Sequence, residues 1–289
     1  FRAWKMAHSN VQEEDEDRTP SYLDEDEDGE TEQEETEKGK ILSMIEESLQ
    51  ELMNASVHVS SPHMTSAIQS VLETFYIKKK SPEVETLLFK MFTPFLWRSL
   101  SAANAIVRVN ASIALGKTYP LRDPLEGKTH LNEVYSKSVQ SLVSLLRDDD
   151  HKVRVAACEA TVQILGHSWD ALESKDIRSL LNEIISRHSN DSSSAAVRIQ
   201  AINGISKLLD AKASHGVLKT FLPLLGDHIH DKVERVRLAT ANLLLKLKKI
   251  KGFKYDHTVP VEHILARMAS EGEFVKKPLG PVAGALTEL

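Results

Sequence analysis

The stretch LLRDDDHKVRVAACEATVQIL, residues 145–165, reads as the end of one helix, an acidic turn and the start of a second helix. The turn consists of Asp148, Asp149 and Asp150, and a Val-Arg pair at 153–154 opens the apolar segment that follows. The same pair stands at 107–108, 197–198 and 236–237, so the arginines follow one another at steps of 46, 44 and 39 residues. A period of this length is typical of arrays of two-helix units.

The apolar residues within each unit support this interpretation. Val139, Leu142 and Leu146 recur at helical spacing before the acidic turn, and Val153 and Ala157 do so after it. Aromatic residues make up only 6% of the chain, and strand-like alternation is scarce. The sequence therefore predicts an all-α fold, a HEAT-repeat α-solenoid in which antiparallel helix pairs form a superhelical stack.

Composition and periodicity divide the chain into five segments. The second helices of the units, called B helices below, are expected to open near residues 106, 152, 195 and 233. The chain begins without Met, so we expect it to be a piece of a longer protein. The predicted segments are the end of an upstream helix (1–8), an acidic disordered insertion (9–38), N-terminal helical repeats (39–97), HEAT repeats (98–251), and a linker with a short helix near 261–269 and a truncated end (252–289).

Charge is distributed unevenly along the chain. Residues 1–38 hold 15 acidic and 4 basic side chains, and the remainder holds 27 acidic and 32 basic ones, which gives the remainder a net charge of +5. The acidic tract has too few apolar groups to offset the entropy of ordering, and we expect it to be disordered. Three roles remain open for the tract: a solvated loop, a ligand of a basic partner, or a competitor of nucleic acid for the basic part of the chain.

Cysteine content and hydropathy limit the class of protein. Cys158 is the one cysteine, so a disulfide framework is excluded and a reducing compartment is expected. The chain has no apolar run near 18 residues, and we expect no membrane span.

Several stretches together resemble one known family. These are RAWKMA (2–7), FTPFLWRSLSAANAIVRVNASIALGKTYPLRDP (92–124), the segment from DSSSAAVRIQ to LLLKLK (191–248), and PVEHILARM (260–268). In this combination the chain is similar to the G-type non-SMC subunits of condensin II. The similarity covers most of residues 85–270, and the long acidic tract and residues 40–80 depart from the family pattern.

The resemblance implies a HEAT-repeat subunit of a chromosome-organising ATPase complex, located in the nucleus on chromosomes. Such a subunit binds the kleisin chain and, with it, double-stranded DNA, and it works together with SMC ATPases. It has no active site, no cofactor and no small-molecule substrate. The residues that bind the kleisin have no short motif and are not assigned.

The arginines of the Val-Arg pairs are expected to hold the repeats together. Each of the last three follows a turn that contains an aspartate, which can cap the B helix and meet the arginine of an adjacent unit. Direct contact of these arginines with DNA is the alternative. The expected set is Arg108, Asp148, Arg154, Asp191, Arg198, Asp231 and Arg237.

Clustered basic residues are the better candidates for DNA contact. Lysines on successive units of a solenoid fall along one edge and can follow a phosphate backbone, and helix starts also favour anions. A solvated face, or cations that complement a helix C-terminus, is the alternative. The candidates are Lys246, Lys248, Lys249, Lys251 and Lys254, then Lys152, Lys232 and Arg235 at B-helix starts, and Lys78, Lys79 and Lys80. The sequence has no aromatic interleaving or recognition-helix motif, so binding should not depend on base sequence.

Three motifs imitate catalytic or metal chemistry. Gly116-Lys117-Thr118 resembles the end of a phosphate loop, but Ala111 stands where the first glycine should be and the segment lies late in a helix. The stretch 227–231, DHIHD, offers four metal ligands, but its neighbours should point in different directions. Cys158 lies in an apolar helix pattern without an adjacent base. No enzyme is predicted, and the rival to a DNA-binding subunit is a protein-only adaptor, such as a transport receptor or a phosphatase scaffold.

Overall fold

The computed structural model describes residues 1–16, 28–273 and 281–289. The chain forms two compact units. The first unit contains residues 1–99 and 121–127, and the second contains residues 100–120 and 128–289. The described residues form helices and turns and no strand, so the all-α prediction is confirmed.

The described residues of the first unit form five helices. They are α1 (Arg2–Glu16), α2 (Asp28–His58), α3 (Pro62–Ile77), α4 (Pro82–Phe92) and α5 (Leu96–Ser99). Both α3 and α4 begin with a proline after a serine, because proline lacks the N–H that the first helical turn leaves unbonded. The core of the unit contains Met53, Leu72, Phe75 and Phe92, which are fully buried.

Helices enter the acidic tract from both sides. α1 extends to Glu16 and α2 begins at Asp28, whereas the sequence predicted disorder over 9–38. Glutamate and glutamine favour helix, so each helix continues outward from the turns that pack in the core. Residues 17–27 of the tract lie outside the described residues.

The apolar side chains of α2 are only partly buried. Met53 and Val57 are fully buried, but Ile41 and Met44 are 49% and 67% exposed. Together with Trp4 of α1 and Leu49 of α2, these two residues line an open apolar groove.

The second unit is a row of helix pairs. Its helices are α6 (Ala105–Thr118), α7 (Lys128–Leu146), α8 (His151–Ser168), α9 (Ser174–Asn182), α10 (Ala195–Leu208), α11 (His215–Phe221), α12 (Glu234–Lys249), α13 (Val261–Glu273) and α14 (Pro281–Thr287). The B helices α6, α8, α10 and α12 pack successively against one another. The sequence patterns gave no position for the tail that contains α14.

Two of the first helices in these pairs are irregular. After α9 the chain continues as a π-helical turn, Glu183–His188, and after α11 as a 3₁₀ segment, Leu222–His230. Pro223 near the start of the latter removes a backbone donor and prevents α-helical continuation. The apolar residues Ile184, Leu222 and Leu225 nevertheless remain buried, so the irregular backbone does not turn them out of the core.

Small residues allow the B helices to approach closely. A Cβ atom placed on Gly116 would lie 2.9 Å from the Cα of Ala160 on the next B helix. A Cβ on Gly204 would lie 2.6 Å from the side chain of Val162. Gly116, which belongs to the stretch that resembles a phosphate loop, thus allows two helices to pack closely.

Charged bridges join successive B-helix starts. The guanidinium of Arg108 donates to both carboxylate oxygens of Asp148, at 2.7 and 2.8 Å. Arg198 donates to Asp231 in the same two-bond manner, at 2.8 and 2.9 Å. Arg154 donates through Nε to Asp191 at 2.9 Å, and its Nη2 also donates to a serine hydroxyl, that of Ser193. Each arginine therefore reaches the aspartate of the following unit.

Each of these aspartates also closes its own turn. Asp148 accepts from the backbone N–H of Asp150 at 2.8 Å, and Asp231 accepts from that of Val233 at 2.8 Å. Asp191 accepts from two backbone N–H groups in the turn before α10. One carboxylate thus closes the turn before a helix and pairs with the preceding unit, a combination that we call the Asp–Arg bridge. The cap of α8 itself is the neighbouring Asp150, which accepts from the Lys152 N–H, so these aspartates do not cap the B helices as the sequence suggested.

The arginines contact backbone carbonyls with their remaining donors. Nη1 of Arg154 donates to the carbonyls of Asp148 and Asp149, and Nη1 of Arg237 donates to those of Asp231 and Lys232. The guanidinium therefore ties its own turn as well as the neighbouring one. In the three bridges the paired side chains are only 10% to 17% exposed.

The Asp–Arg bridge should contribute measurably to stability, and Asp231→Asn isolates the charge pair. Asparagine can still accept from the Val233 N–H, so the turn keeps this hydrogen bond while the ion pair is removed. We expect the free energy of unfolding, measured by denaturant titration, to fall by about 1.5–3 kcal/mol. Asp231→Ala should cost about 0.5–1.5 kcal/mol more, because the hydrogen bond that closes the turn is lost as well.

Glu173→Gln is the matched control. Glu173 pairs with Lys175, but both side chains are about 70% exposed, so this substitution should cost less than about 1 kcal/mol. Equal losses of stability for Asp231→Asn and Glu173→Gln would show that the buried bridge adds nothing.

Acid should weaken the bridges over a defined pH range. Burial opposes ionisation of Asp148, Asp191 and Asp231, but hydrogen bonds from side chains and backbone together with the arginine charges outweigh burial and hold each pKa below its ordinary value. Because the folded pKa lies below the unfolded one, the contribution is complete above about pH 4 and is lost as the pH falls further.

We therefore expect stability curves, recorded by denaturant titration at a series of pH values, to show this loss below about pH 4. The triple variant Asp148→Asn, Asp191→Asn, Asp231→Asn should be less stable at neutral pH, and its free energy of unfolding should fall less as the pH decreases below about 4. Parallel curves for the variant and the unmodified protein would contradict the assignment.

Candidate nucleic-acid interface

The Asp–Arg bridges align the B helices in parallel, which gives the second unit two different edges. The starts of α6, α8, α10 and α12 lie at the N-terminal edge, where the bridges are. The ends of the same helices lie at the C-terminal edge, where Lys246 of α12 pairs with Asp210 after α10 at 2.7 Å. α12 has 16 residues, so the edges are about 24 Å apart.

The N-terminal edge mixes basic and acidic side chains. Lys152, Lys232 and Arg235 are exposed there, as the sequence predicted for B-helix starts. The bridge aspartates stand in the same turns, and the further acidic residues of this edge are Asp149, Asp150, Asp227 and Glu234. These carboxylates reduce the positive potential that a phosphate backbone would meet.

The five predicted lysines of the C-terminal edge differ in their surroundings. Lys246 is only 28% exposed and pairs with Asp210, and the ammonium of Lys248 donates to the backbone carbonyl of Glu288 at 2.6 Å. Lys249, Lys251 and Lys254 are exposed. Lys246 and Lys248 are thus bonded within the unit, although Lys248 is exposed as well, and the structure gives no such bond for the other three.

Lys219 of α11 joins this group, although no sequence motif singled it out. Lys219 and Lys254 line one cleft of about 280 Å³ together with Phe253 and His257. The Lys219 ammonium lies 5.3 Å from the centre of the Phe253 ring, at a cation–π distance. Lys249, Lys251, Lys254 and Lys219 are called the C-terminal lysine group below.

A glycine shapes the turn that brings these lysines together. Gly252 has a φ of 91°, a conformation that side chains with a Cβ rarely adopt, and it reverses the chain between Lys251 and Lys254. The ring of His215 also packs against that of Phe253, nearly perpendicular to it and with the ring centres 4.9 Å apart. No local sequence signal connects Lys219 with residues more than 30 positions later, because the contact depends on this turn.

The third predicted cluster, Lys78 to Lys80, belongs to the first unit. These lysines form the turn between α3 and α4. The Lys78 ammonium lies 5.1 Å from the centre of the Phe1 ring. Burial, and then the charge of Lys80, lowers the pKa of Lys79. The cluster is therefore a basic site of the first unit.

The side chains of the DHIHD stretch have different surroundings. His228 is buried and burial lowers its pKa, Asp231 pairs with Arg198, and the ring of His230 lies 5.3 Å from that of His263. Within the parts of the chain that the structure describes, no group of three or more His, Cys, Asp or Glu side chains could hold a metal ion.

The remaining reactive side chains are built into helices. Burial raises the pKa of Cys158 to about 12, so its thiol is protonated at neutral pH. The Thr118 hydroxyl donates to the Ala114 carbonyl one turn earlier in α6. Of the helices in the described residues, none combines the length and apolarity needed to cross a membrane.

Two family models match the chain. One is described as condensin II non structural maintenance of chromosomes subunit and matches residues 33–123. The other is described as sister chromatid cohesion protein PDS5 protein and matches residues 82–251, which contain helices α4 to α12.

The chain is also similar to individual solved structures. A designed armadillo repeat protein in complex with a peptide is 17% identical, with a TM-score of 0.43, and the match covers 83% of this chain and 98% of that one. An engineered protein is 15% identical, with a TM-score of 0.46, over 83% of this chain and 97% of that one.

Curated relatives extend the first of the family matches. The condensin-2 complex subunit G2 of Homo sapiens is 33% identical over 245 residues, and those of Danio rerio and Xenopus laevis are 32% identical over 242 residues. Each match covers 83% of this chain, and the chain spans about a fifth of the relatives' length, 21%. These matches confirm the resemblance seen in the sequence, and the chain belongs to the family of condensin II non-SMC subunits.

Proposed function

We propose that this chain is part of a non-catalytic scaffold subunit of condensin II that binds duplex DNA through its phosphates. It does so together with the kleisin subunit and the SMC ATPases, in the nucleus, during mitotic chromosome condensation. The C-terminal lysine group is the observation that carries the DNA part of the proposal. Membership in the family supports the partners and the location.

The chemistry of the lysine group suits a phosphate backbone. Ammonium groups neutralise phosphates and release counterions, which favours binding without reading base edges. The group lies where α12 ends, at an edge formed by parallel helices that pack about 10 Å apart. Lys207 at the end of α10 is exposed on the same edge, where its ammonium lies 3.9 Å from the carboxylate of Glu159.

The N-terminal edge is less suited to this role. Its arginines are bonded to aspartates, and the remaining basic side chains Lys152, Lys232 and Arg235 stand among carboxylates. Charge on this edge therefore stabilises the stack, whereas Lys249, Lys251 and Lys254 are exposed on the opposite edge and are the groups proposed to meet a polyanion.

Reversing charge on one edge at a time tests this division. One variant combines Lys249→Glu, Lys251→Glu and Lys254→Glu. We expect its affinity for a fluorescent DNA duplex, measured by anisotropy, to fall about tenfold or more at low salt. The slope of log K against log salt should become shallower by about 0.9 for each phosphate that the variant no longer neutralises. Duplexes of different sequence should behave alike.

The matched control is Lys152→Glu, Lys232→Glu, Arg235→Glu, which makes the same change in net charge at the N-terminal edge. We expect it to retain most of the affinity. Equal reductions in affinity for both variants would contradict the assignment to the C-terminal edge. A chain that fails to bind duplex DNA with the condensin II kleisin present would favour a protein-only adaptor.

Co-purification tests the proposed partners separately. A tagged 289-residue chain expressed in dividing cells should recover a kleisin and SMC ATPases, identified by mass spectrometry. The Lys249, Lys251, Lys254 variant should recover them equally, because the proposal gives these lysines to DNA. Recovery of transport cargo or phosphatase subunits in place of SMC ATPases would overturn the partner assignment.

A further inference from the structure

A second basic cleft lies within the first unit, between α1 and the turn that joins α3 to α4. It has a volume of about 360 Å³. Lys5 of α1 lines it together with Lys78 and Lys80 of the turn, and so do the rings of Phe1 and Trp4. The cleft therefore combines three ammonium groups with an apolar floor.

The hydroxyl of a serine stands in this cleft. Ser81 lines it together with the lysines, and its backbone N–H donates to the Lys78 carbonyl at 3.0 Å. This bond closes a tight turn and keeps the Cα atoms of Ser81 and Lys78 within about 7 Å of each other. Pro82 follows directly and begins α4. The Ser81 hydroxyl donates to the carboxylate of Glu83.

Positive charge exceeds negative charge around this hydroxyl. Glu83 is the one carboxylate among the described residues that line the cleft, against Lys5, Lys78 and Lys80. The hydrogen bond from Ser81 and a backbone hydrogen bond lower the pKa of Glu83, and the charges of His8 and Lys5 lower it further. Glu83 is exposed and can turn to solvent, so the ammonium groups have capacity for another anion.

We propose that Ser81 is a phosphorylation site for a proline-directed protein kinase, and that Lys5, Lys78 and Lys80 hold the resulting phosphate. Proline at the next position is what this class of kinase requires. The exposed side chains of Lys80 and Pro82 flank the acceptor on the surface of the turn.

The reaction is a phosphoryl transfer from ATP. The Ser81 oxygen forms a bond to the γ-phosphorus, the bond between that phosphorus and the β,γ-bridging oxygen breaks, ADP leaves, and the hydroxyl proton passes to the base of the kinase. The product carries nearly two negative charges at neutral pH, and its oxygens accept from ammonium donors. Because Lys5 belongs to α1, the phosphate fastens α1 to the α3–α4 turn.

Ser61 offers an internal control for the lysine cleft. It also precedes a proline, Pro62, and it caps α3 as Ser81 precedes α4. The 16 residues of α3 separate it from Lys78 by about 24 Å. A phosphate at Ser61 thus lies at a comparable helix start but away from Lys78 and Lys80. Any difference in phosphate pKa between the two serines is therefore due to the lysines of the cleft.

The first test uses phosphoserine incorporated genetically at position 81 or position 61 of the 289-residue chain, with the phosphate titrated by ³¹P NMR. We expect the second phosphate pKa at position 61 to stay near about 6. At position 81 the ammonium groups should lower it by about 0.5–1 unit. The triple variant Lys5→Ala, Lys78→Ala, Lys80→Ala should abolish this difference in phosphate pKa between the two positions, while its circular dichroism spectrum remains that of a helical protein.

The second test presents the folded chain to a purified proline-directed kinase with ATP. Mass spectrometry should find phosphate on Ser81, and Ser81→Ala should remove that signal and no other. Equal pKa values at the two positions, or a folded chain that is not modified at Ser81, would overturn the proposal. Neither readout involves DNA or the condensin partners, so both are independent of the proposed function.

Discussion

The Asp–Arg bridge between successive repeats is the interaction on which the second unit depends. One carboxylate accepts from the N–H groups of its own helix start and from the guanidinium of the preceding unit, as Asp231 does with Val233 and Arg198. Local turn and inter-repeat register are therefore set by the same side chain. Because the paired groups are largely removed from solvent, removing one partner leaves the other charge without compensation, which is more costly than breaking a surface pair.

Register has a consequence for the distribution of charge. Bridges at every start force the B helices to run parallel, so their ends, with Lys207 and the C-terminal lysine group, meet at one edge. Cations at helix ends also complement the helix dipole, which makes this arrangement favourable before any ligand is present. The acidic turns thus stabilise the stack at one edge, and the basic side chains lie at the other edge, to which the proposed function assigns the polyanion.

The helical repeat and the Asp–Arg contacts that join successive repeats could be predicted from the sequence, because both are periodic. The Val-Arg spacing predicted the B helices, and the expected partners Arg154 and Asp191 lie within hydrogen-bonding distance. Contacts that depend on irregular backbone could not be predicted from the sequence. Lys219 reaches the lysine group through the turn at Gly252, and Lys248 is bonded to a carbonyl 40 residues later. Periodicity carries no information about such turns, whereas regular helices repeat their geometry.

Hydrogen exchange of the chain with and without duplex DNA tests most directly whether the C-terminal edge is the DNA surface. Backbone amides of residues 250–258 and of the α11 segment should become protected on binding, because phosphates immobilise the turn around Gly252 and the lysine of α11. The N-terminal turns at 147–150 and 190–194 should exchange as before. Protection confined to those turns, or no change at either edge, would contradict the assignment of DNA to the C-terminal lysine group.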